Sequence, residues 1–576
     1  MNHSHTLVKW LVLLFISLFI TNCGGGGSSS NSGDSSSLVD TTEGSSSNTL
    51  ALTEETTLYD EFSQTEYKGL VFYPKNLPVS DYALDQLTNA EFNALNRSQK
   101  DLVAEKLLST LFFGYPLQEL REKIDSGNFI NDIIEGLSEE RTNKAWLEDH
   151  ILDDEKYKQV DYNEQEAVDI LARFYAMKEL DSYFFKNWTS YILTQTIMFS
   201  PAYELDSTHT PNIARVYNRI VMMLGVDSGM RYISYVHMAS EDNWRRFRSP
   251  EDNGREMLEI FALDMDDSHV PIAGKALQNW KLDRDSDTLV VSLNQNTQPL
   301  TLFDTTIYTG DDFYRELAKS DLFTNGVTRR MVDFFFPNAT GDKKHQITAS
   351  IVSSKPETWQ DILLQIVLSE EYLLHHSRAK SAEELFFSFA KKSEFNHRTS
   401  TFHEFKDALE EMHQASMKYK LGKLKRVPLD TLSFASYHKY MRERVYLRKS
   451  NPDKVDDYGA WDRQGWSESF VANENFNLDA SDEEASLVSF IHYLFNATIE
   501  RDATQSELTL FKEHMLRDQS ETNTTQILDS TFDMLRTNSD PEKQLKYRES
   551  NKNNIAVVVL DYITRLTETY TQREVN

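Results

Sequence analysis

The chain has 576 residues, 40% hydrophobic and 12% aromatic, which is enough apolar material for a sizeable core and excludes a wholly disordered protein. Its 90 acidic and 60 basic residues give a formal charge of -30, which excludes electrostatic attraction to nucleic acid or to an anionic lipid surface. Cys23 is the only cysteine, so no intramolecular disulfide can form.

The N-terminus has the pattern of an export signal. Lys9 supplies the positive start, and the apolar run Trp10–Ile20 is too short to span a bilayer comfortably. The run ends in Ile20-Thr21-Asn22-Cys23, which resembles a bacterial lipobox, where the cysteine becomes the lipidated first residue of the mature protein. The residues that follow are Gly, Ser, Asp, Asn and Thr with few apolar side chains, the composition of a disordered tether. By resemblance to lipoprotein sorting signals, Gly24 after the cysteine implies the outer membrane of a Gram-negative bacterium.

The body reads as mainly helical. Tyr67–Tyr73 has the pattern of a short strand, and helical periodicity begins near Leu84. Ala104–Gly114 is an amphipathic run stopped by glycine, followed by a second helical run from Tyr115. Glu164–Phe199 is a long helical region dense in aromatic and aliphatic residues. Thr210-Pro211 opens a helix closed at Gly225. Leu289, Val291 and Leu293 alternate, as do Leu300 and Leu302, around a polar Asn-Gln-Asn turn. One minor β-hairpin is therefore expected near 289–303. Phe313–Phe336 and Thr358–His375 read as helices. Ser481 with Glu484 and Thr504 with Glu507 are capping boxes, and Val557–Leu566 is a further helical run.

The most legible helix starts at Ser249, a capping residue, with Pro250 at the first helical position and Glu251 and Asp252 in the first turn. Met257, Phe261, Gly254, Leu258 and Ala262 form one apolar stripe. Asn253, Glu256, Asp252, Glu259 and Arg255 fill the opposite arc, which is broken by Ile260. From the residues alone this is a surface helix with a solvated polar face.

Asn253-Gly-Arg-Glu-Met-Leu-Glu-Ile-Phe-Ala-Leu263 resembles the signature of a family of exported bacterial proteins, domain of unknown function 1800. Gly254 replaces an alanine of that pattern, and Ala262 and Asp264 replace a threonine and a glycine. Flanking phrases extend the resemblance over about Leu84 to Tyr372, among them Phe113-Gly114, Val270–Trp280 and Leu368–Leu373. Tyr183-Phe-Phe-Lys-Asn-Trp-Thr-Ser190 keeps Phe184 and Asn187 of the family phrase but carries Lys186 and Trp188 where relatives have histidines. The resemblance implies a shared polar cluster of Asn187, Asn253, Arg255, Glu256 and Glu259, with the last three paired and buried against the helix that carries Asn187. The missing histidine pair implies no metal and no cofactor.

The expected organisation is a lipoprotein signal peptide over 1–23 with Cys23 as the lipid attachment site, and a Gly/Ser-rich linker over 24–56. A helical domain resembling the family follows over 57–470, with a C-terminal helical region over 471–576 packed on it or continuing it. Neither a nucleophile elbow nor a phosphate loop nor His-Glu-x-x-His occurs, so no catalytic residue is assigned. Asp264–His269 clusters three carboxylates but lacks the glycine and distal glutamate of a calcium loop, which favours a solvated turn. His375 and His376 point about 100° apart on a helix and read as surface residues. The expected function is a non-catalytic cell-envelope lipoprotein, membrane-bound through its lipid, that binds or scaffolds an exported protein or glycan and no nucleic acid. The alternative is a hydrolase-like enzyme acting on envelope or extracellular polymers through the carboxylate cluster.

Overall fold

The computed structural model describes residues 83–139, 179–198, 213–225, 228–244, 249–283, 288–392, 431–440, 482–516, 555–556 and 558–575, with scattered single positions. The expected signal peptide, Cys23, the 24–56 linker, the Tyr67–Tyr73 strand, the Thr210-Pro211 cap and Ser481 lie outside these residues. Among the described residues 67% are helical, and the strands form only small two-stranded sheets.

Caps set where the helices begin and break. The helix Arg97–Phe112 starts earlier than its apolar run because Asn96 and Gln99 cap each other, each side chain accepting the other's backbone N–H. All its residues from Val103 to Phe112 are buried, and it stops where Phe113 turns left-handed at φ 59°. Asp181 accepts the Phe184 N–H at 2.7 Å and opens the helix Ser182–Gln195, so the expected Glu164–Phe199 helix is interrupted. The expected Phe313–Phe336 helix is two, Gly310–Lys319 and Asp321–Phe335. Ser320 ends the first and caps the second. In the same way Ser369 splits Thr358–His375 into Trp359–Val367 and Glu370–Leu373. The Thr504–Glu507 capping box forms as expected, and Asp482 caps the helix Glu483–Ile499 by accepting the Ala485 N–H.

The expected strands are present, but they pair differently. β1 (Trp280–Asp283) pairs with β2 (Thr288–Val291), with Trp280 opposite Val291 and Leu282 opposite Leu289. β3 (Leu300–Leu302) pairs with β4 (Thr305–Ile307). The physical reason is the turn. Phe303 and Asp304 have φ of 48° and 64°, the two positive values that a tight primed hairpin needs, so β3 closes onto β4 and not back onto β2. A third pair joins β5 (Arg378–Ala379) to β6 (Thr571–Gln572), and the Val575 N–H adds a bond to Leu374 O at 2.9 Å.

The signature helix, Pro250–Met257, is capped by Ser249 with Pro250 in its first turn, and its predicted apolar stripe is buried. Its last stretch, Leu258–Ala262, widens into a π turn and ends at Leu263 with φ 50°. Ile260 is buried too, although helical periodicity puts it on the polar arc. The helix packs against His269–Ala276 at very short range. A Cβ on Gly254 would lie 2.5 Å from the Ala273 Cβ, so this close approach requires glycine. The core is one continuous cluster running from Leu87 to Tyr570, with Trp188, Trp244 and Trp359 fully buried.

Candidate functional site

Two polar centres lie within the helical body. The first surrounds the signature helix. Trp244 Nε1 donates to the Tyr314 hydroxyl at 2.9 Å, and that hydroxyl donates to Asn253 Oδ1 at 2.7 Å. All three side chains are fully buried. Asn187 is held in the same manner on the Ser182–Gln195 helix: its Oδ1 accepts from the Tyr217 hydroxyl at 2.5 Å and its Nδ2 donates to Tyr183 O at 2.8 Å. Each asparagine thus serves a buried tyrosine that would otherwise leave a polar proton unmet.

The expected polar cluster does not assemble. Arg255 points outward with its side chain 51% exposed, and its contact with Asp267 is 3.8 Å long with Asp267 90% exposed. A pair that open to solvent contributes at most about 1 kcal/mol. Glu256 and Glu259 are partly buried on the same outer side, within electrostatic reach of Arg330. Arg330 Nη2 donates to the Glu259 carbonyl at 2.8 Å. The π turn changes the carbonyl partners at the end of the signature helix, and Leu258 O takes the N–H groups of Leu263 and Asp264. Trp188 is buried and donates to Thr110 O at 2.9 Å.

The second centre was not anticipated from the sequence. Glu105 on the Arg97–Phe112 helix, Lys392 at the end of the helix Ala382–Lys392, Lys380 and Glu500 are all buried. Lys392 Nζ lies 2.9 Å from Glu105 and 2.5 Å from Glu500, and Lys380 lies 3.5 Å from Glu500. Arg573 approaches Glu500 at 3.7 Å from beside β6. Next to this group, Arg378 makes a two-pronged pair with Glu384 at 2.7 and 2.5 Å and donates to the Tyr372 hydroxyl and to Thr110. Ser109 and Ser388 both donate to Glu105 Oε1. A cavity of about 10 Å³, on the scale of one water molecule, lies between Asp101, Glu105, Arg121, Lys392 and Glu500.

Burial and pairing divide the two acids. Burial pushes the Glu105 carboxyl above its ordinary range despite Lys392. Burial also pushes Glu500 up, but Lys380 and Lys392 together outweigh it and hold Glu500 below that range. Two further buried lysines are held by backbone carbonyls. Lys391 Nζ donates to the carbonyls of Phe112, Phe174 and Met177 at 2.6, 3.1 and 3.3 Å, and burial pulls it down to about 7. Lys106 donates to His376 O and Arg573 O, and burial with the nearby Arg378 also pulls it down to about 7.

A depressed lysine contributes stability that is present above its unfolded value of about 10.5 and is lost as pH falls through the folded value. Urea midpoints are therefore expected to rise from pH 7 to pH 9 and to rise less in Lys391→Met. The three carbonyls favour the charged amine and temper the slope. A midpoint that falls over this range in the wild type would refute the assignment.

His375 is exposed as expected, whereas His376 is buried against the Phe336 ring at 5.0 Å, which corrects its surface reading. Asp264–Ser268 is a solvated turn, with Asp264 Oδ2 2.5 Å from His269 Nδ1 and Asp266 accepting the Ser268 N–H. Among the described residues no group of three or more His, Cys, Asp or Glu side chains is placed to hold a metal ion, and no helix is long and apolar enough to cross a membrane. No protein-family model, no curated protein and no solved structure matches the chain.

Proposed function

We propose that the chain is a lipid-anchored component of the bacterial cell envelope, related to the domain of unknown function 1800 family, whose helical body binds or scaffolds another exported protein or a glycan. The observation that carries this reading is the short apolar run Trp10–Ile20 ending at Cys23, the only cysteine, with a Gly/Ser-rich linker directly behind it. A non-catalytic body is supported by how its polar groups are used. Asn187 and Asn253 satisfy buried tyrosines, and Arg255 stands in solvent away from both. The two centres described above act as framework, since their hydrogen bonds run between their own side chains and to backbone carbonyls, with Asn253 Nδ2 and Glu105 Oε2 buried without one.

Radiolabelled palmitate is expected to enter the wild-type chain in a Gram-negative host and to be absent from Cys23→Ala. Equal labelling of both would refute the anchor. Turnover of a glycan or peptide by the purified full-length protein, lost in Glu256→Gln, would replace the scaffolding role with a hydrolytic one.

A further inference from the structure

Four of the seven large apolar side chains that stand exposed among the described residues fall between positions 265 and 308: Met265, Val290, Leu293 and Tyr308. Leu293 is fully exposed, at 101%. Its loop is nevertheless fixed on both sides. The Ser292 N–H donates to Asn279 O at 2.9 Å, and Asn279 Nδ2 donates back to Ser292 O at 2.7 Å. Gln278 Nε2 donates to Asn294 O at 3.2 Å. Asn296 Nδ2 donates to Tyr308 O at 2.9 Å, which draws the second hairpin alongside. The first hairpin is rooted in the core by Trp280, which stacks on buried Trp244 with ring centroids 5.9 Å apart. Residues 288–303 contain no charged side chain, in a chain that is 26% charged.

We propose that this hairpin face, led by Leu293 with Val290 and Tyr308, docks on the neutral lipid leaflet that holds the anchor at Cys23. The proposal rests on the lipoprotein reading above. Ordering a loop so that it presents a leucine to water brings no gain within the folded chain. The stretch 288–303 brings no ion of its own into the interfacial zone of a bilayer, Lys281 opposite Val290 has a long stem that lets its ammonium reach the headgroups, and a tyrosine has an apolar ring and a polar tip suited to that zone. The formal charge of -30 keeps the rest of the body off an anionic surface and favours a zwitterionic one.

The small size of the face also points to lipid. A few side chains offer far less than the roughly 800 Å² per partner that a stable protein interface buries. Lipid docking needs less, because the anchor already supplies proximity.

The test uses the full-length chain reconstituted into phosphatidylcholine vesicles whose acyl chains carry bromine. Cys23 is blocked by its lipid, so Leu293→Cys provides one thiol for a fluorophore, with Met222→Cys, exposed on the Ile213–Gly225 helix, as the comparison. Insertion to about 5–10 Å should quench the label at 293 about twofold or more and leave the label at 222 unchanged. A label on Tyr308→Cys should be quenched as well, and should lose that quenching when Leu293→Asp is added. The same labels in a Cys23→Ala background report docking without the anchor. An unquenched label at 293 in protein that incorporates palmitate overturns the docking and leaves the anchor standing. Quenching at 293 in protein without palmitate keeps the docking and removes the anchor. Shielding of 293 from iodide without bromine quenching would mean that the loop meets a second copy of the chain, and this also overturns the proposal.

Discussion

Lys392→Met is expected to destabilise the protein by about 3–5 kcal/mol, the range for removing one partner of a buried ion pair. Methionine fills a similar volume, so the loss is electrostatic. It leaves Glu105 and Glu500 facing each other out of solvent, with Lys380 at 3.5 Å from Glu500 as the nearest remaining buried cation. The variant should also show a pH signature. Burial already raises the Glu105 carboxyl, and without Lys392 it rises further, so the stability tied to it is greatest below its unfolded value of about 4.3 and is lost as pH rises through the folded one. The deficit relative to wild type should therefore be larger at pH 7 than at pH 5. Adding Glu500→Gln should restore part of the loss, because the stranded charge is then gone. Urea melts at the two pH values measure all of this. A Lys392→Met midpoint equal to wild type would show that the group is not held as described.

That cluster was hard to see in the sequence for a physical reason. Its members lie on four separate segments, and each reads alone as a surface charge. The local trace is that Glu105-Lys106 interrupts an otherwise apolar run from Val103 to Leu108, where a solvated face would not be expected. The Ser381–Glu384 capping geometry was also legible in principle, since the Glu384 N–H donates to Ser381 Oγ at 3.1 Å, but nothing local shows that Glu384 also takes Arg378. Features governed by neighbouring residues were read correctly, such as the Ser249 cap and the Thr504–Glu507 box. The breaks at Ser320 and Ser369 were missed because the apolar spacing continues through both serines. The pairing of β3 with β4 was missed because it depends on a left-handed Phe303, a conformation that its residue type does not announce. The polar arc of the signature helix was first read from its residues as solvated. Arg255 fits that reading, while the buried cluster implied by the family resemblance does not form.

The other large effect is expected at Gly326. A Cβ there would lie 2.3 Å from Phe261 O and 2.8 Å from Ala262 Cα, both part of the π turn's backbone. Backbone on both sides cannot move aside as a flexible side chain would. Gly326→Ala must therefore push the Asp321–Phe335 helix away from the signature helix, at a cost of about 3 kcal/mol. Arg330 lies one turn further along that helix and holds the Glu259 carbonyl at 2.8 Å, so the same displacement weakens this bond. Gly341 provides the control. It opens the helix Gly341–Ser353 with nothing within 4 Å of its would-be Cβ, so Gly341→Ala should be neutral or stabilising by up to about 1 kcal/mol. Thermal melting of the two variants separates a lost close approach from a general intolerance of added methyl groups. Matching midpoints for Gly326→Ala and wild type would mean the two helices are free to part.

The β5–β6 pair has a consequence for the order of folding. Arg378 lies opposite Gln572 in that pair, and beside it Lys106 reaches Arg573 across 467 positions, whereas the β1–β2 and β3–β4 hairpins each close within a dozen residues. Bringing such distant segments together loses chain entropy that nearby contacts do not, so hairpins and capped helices form readily while the ionic cluster waits for the long-range approach. Until then its lysines and glutamates remain hydrated, and the helices that carry Glu105 and Lys392 cannot sink into the core. Closure of the cluster is thus a late and concerted event. It favours only a body whose remote segments have already found their places.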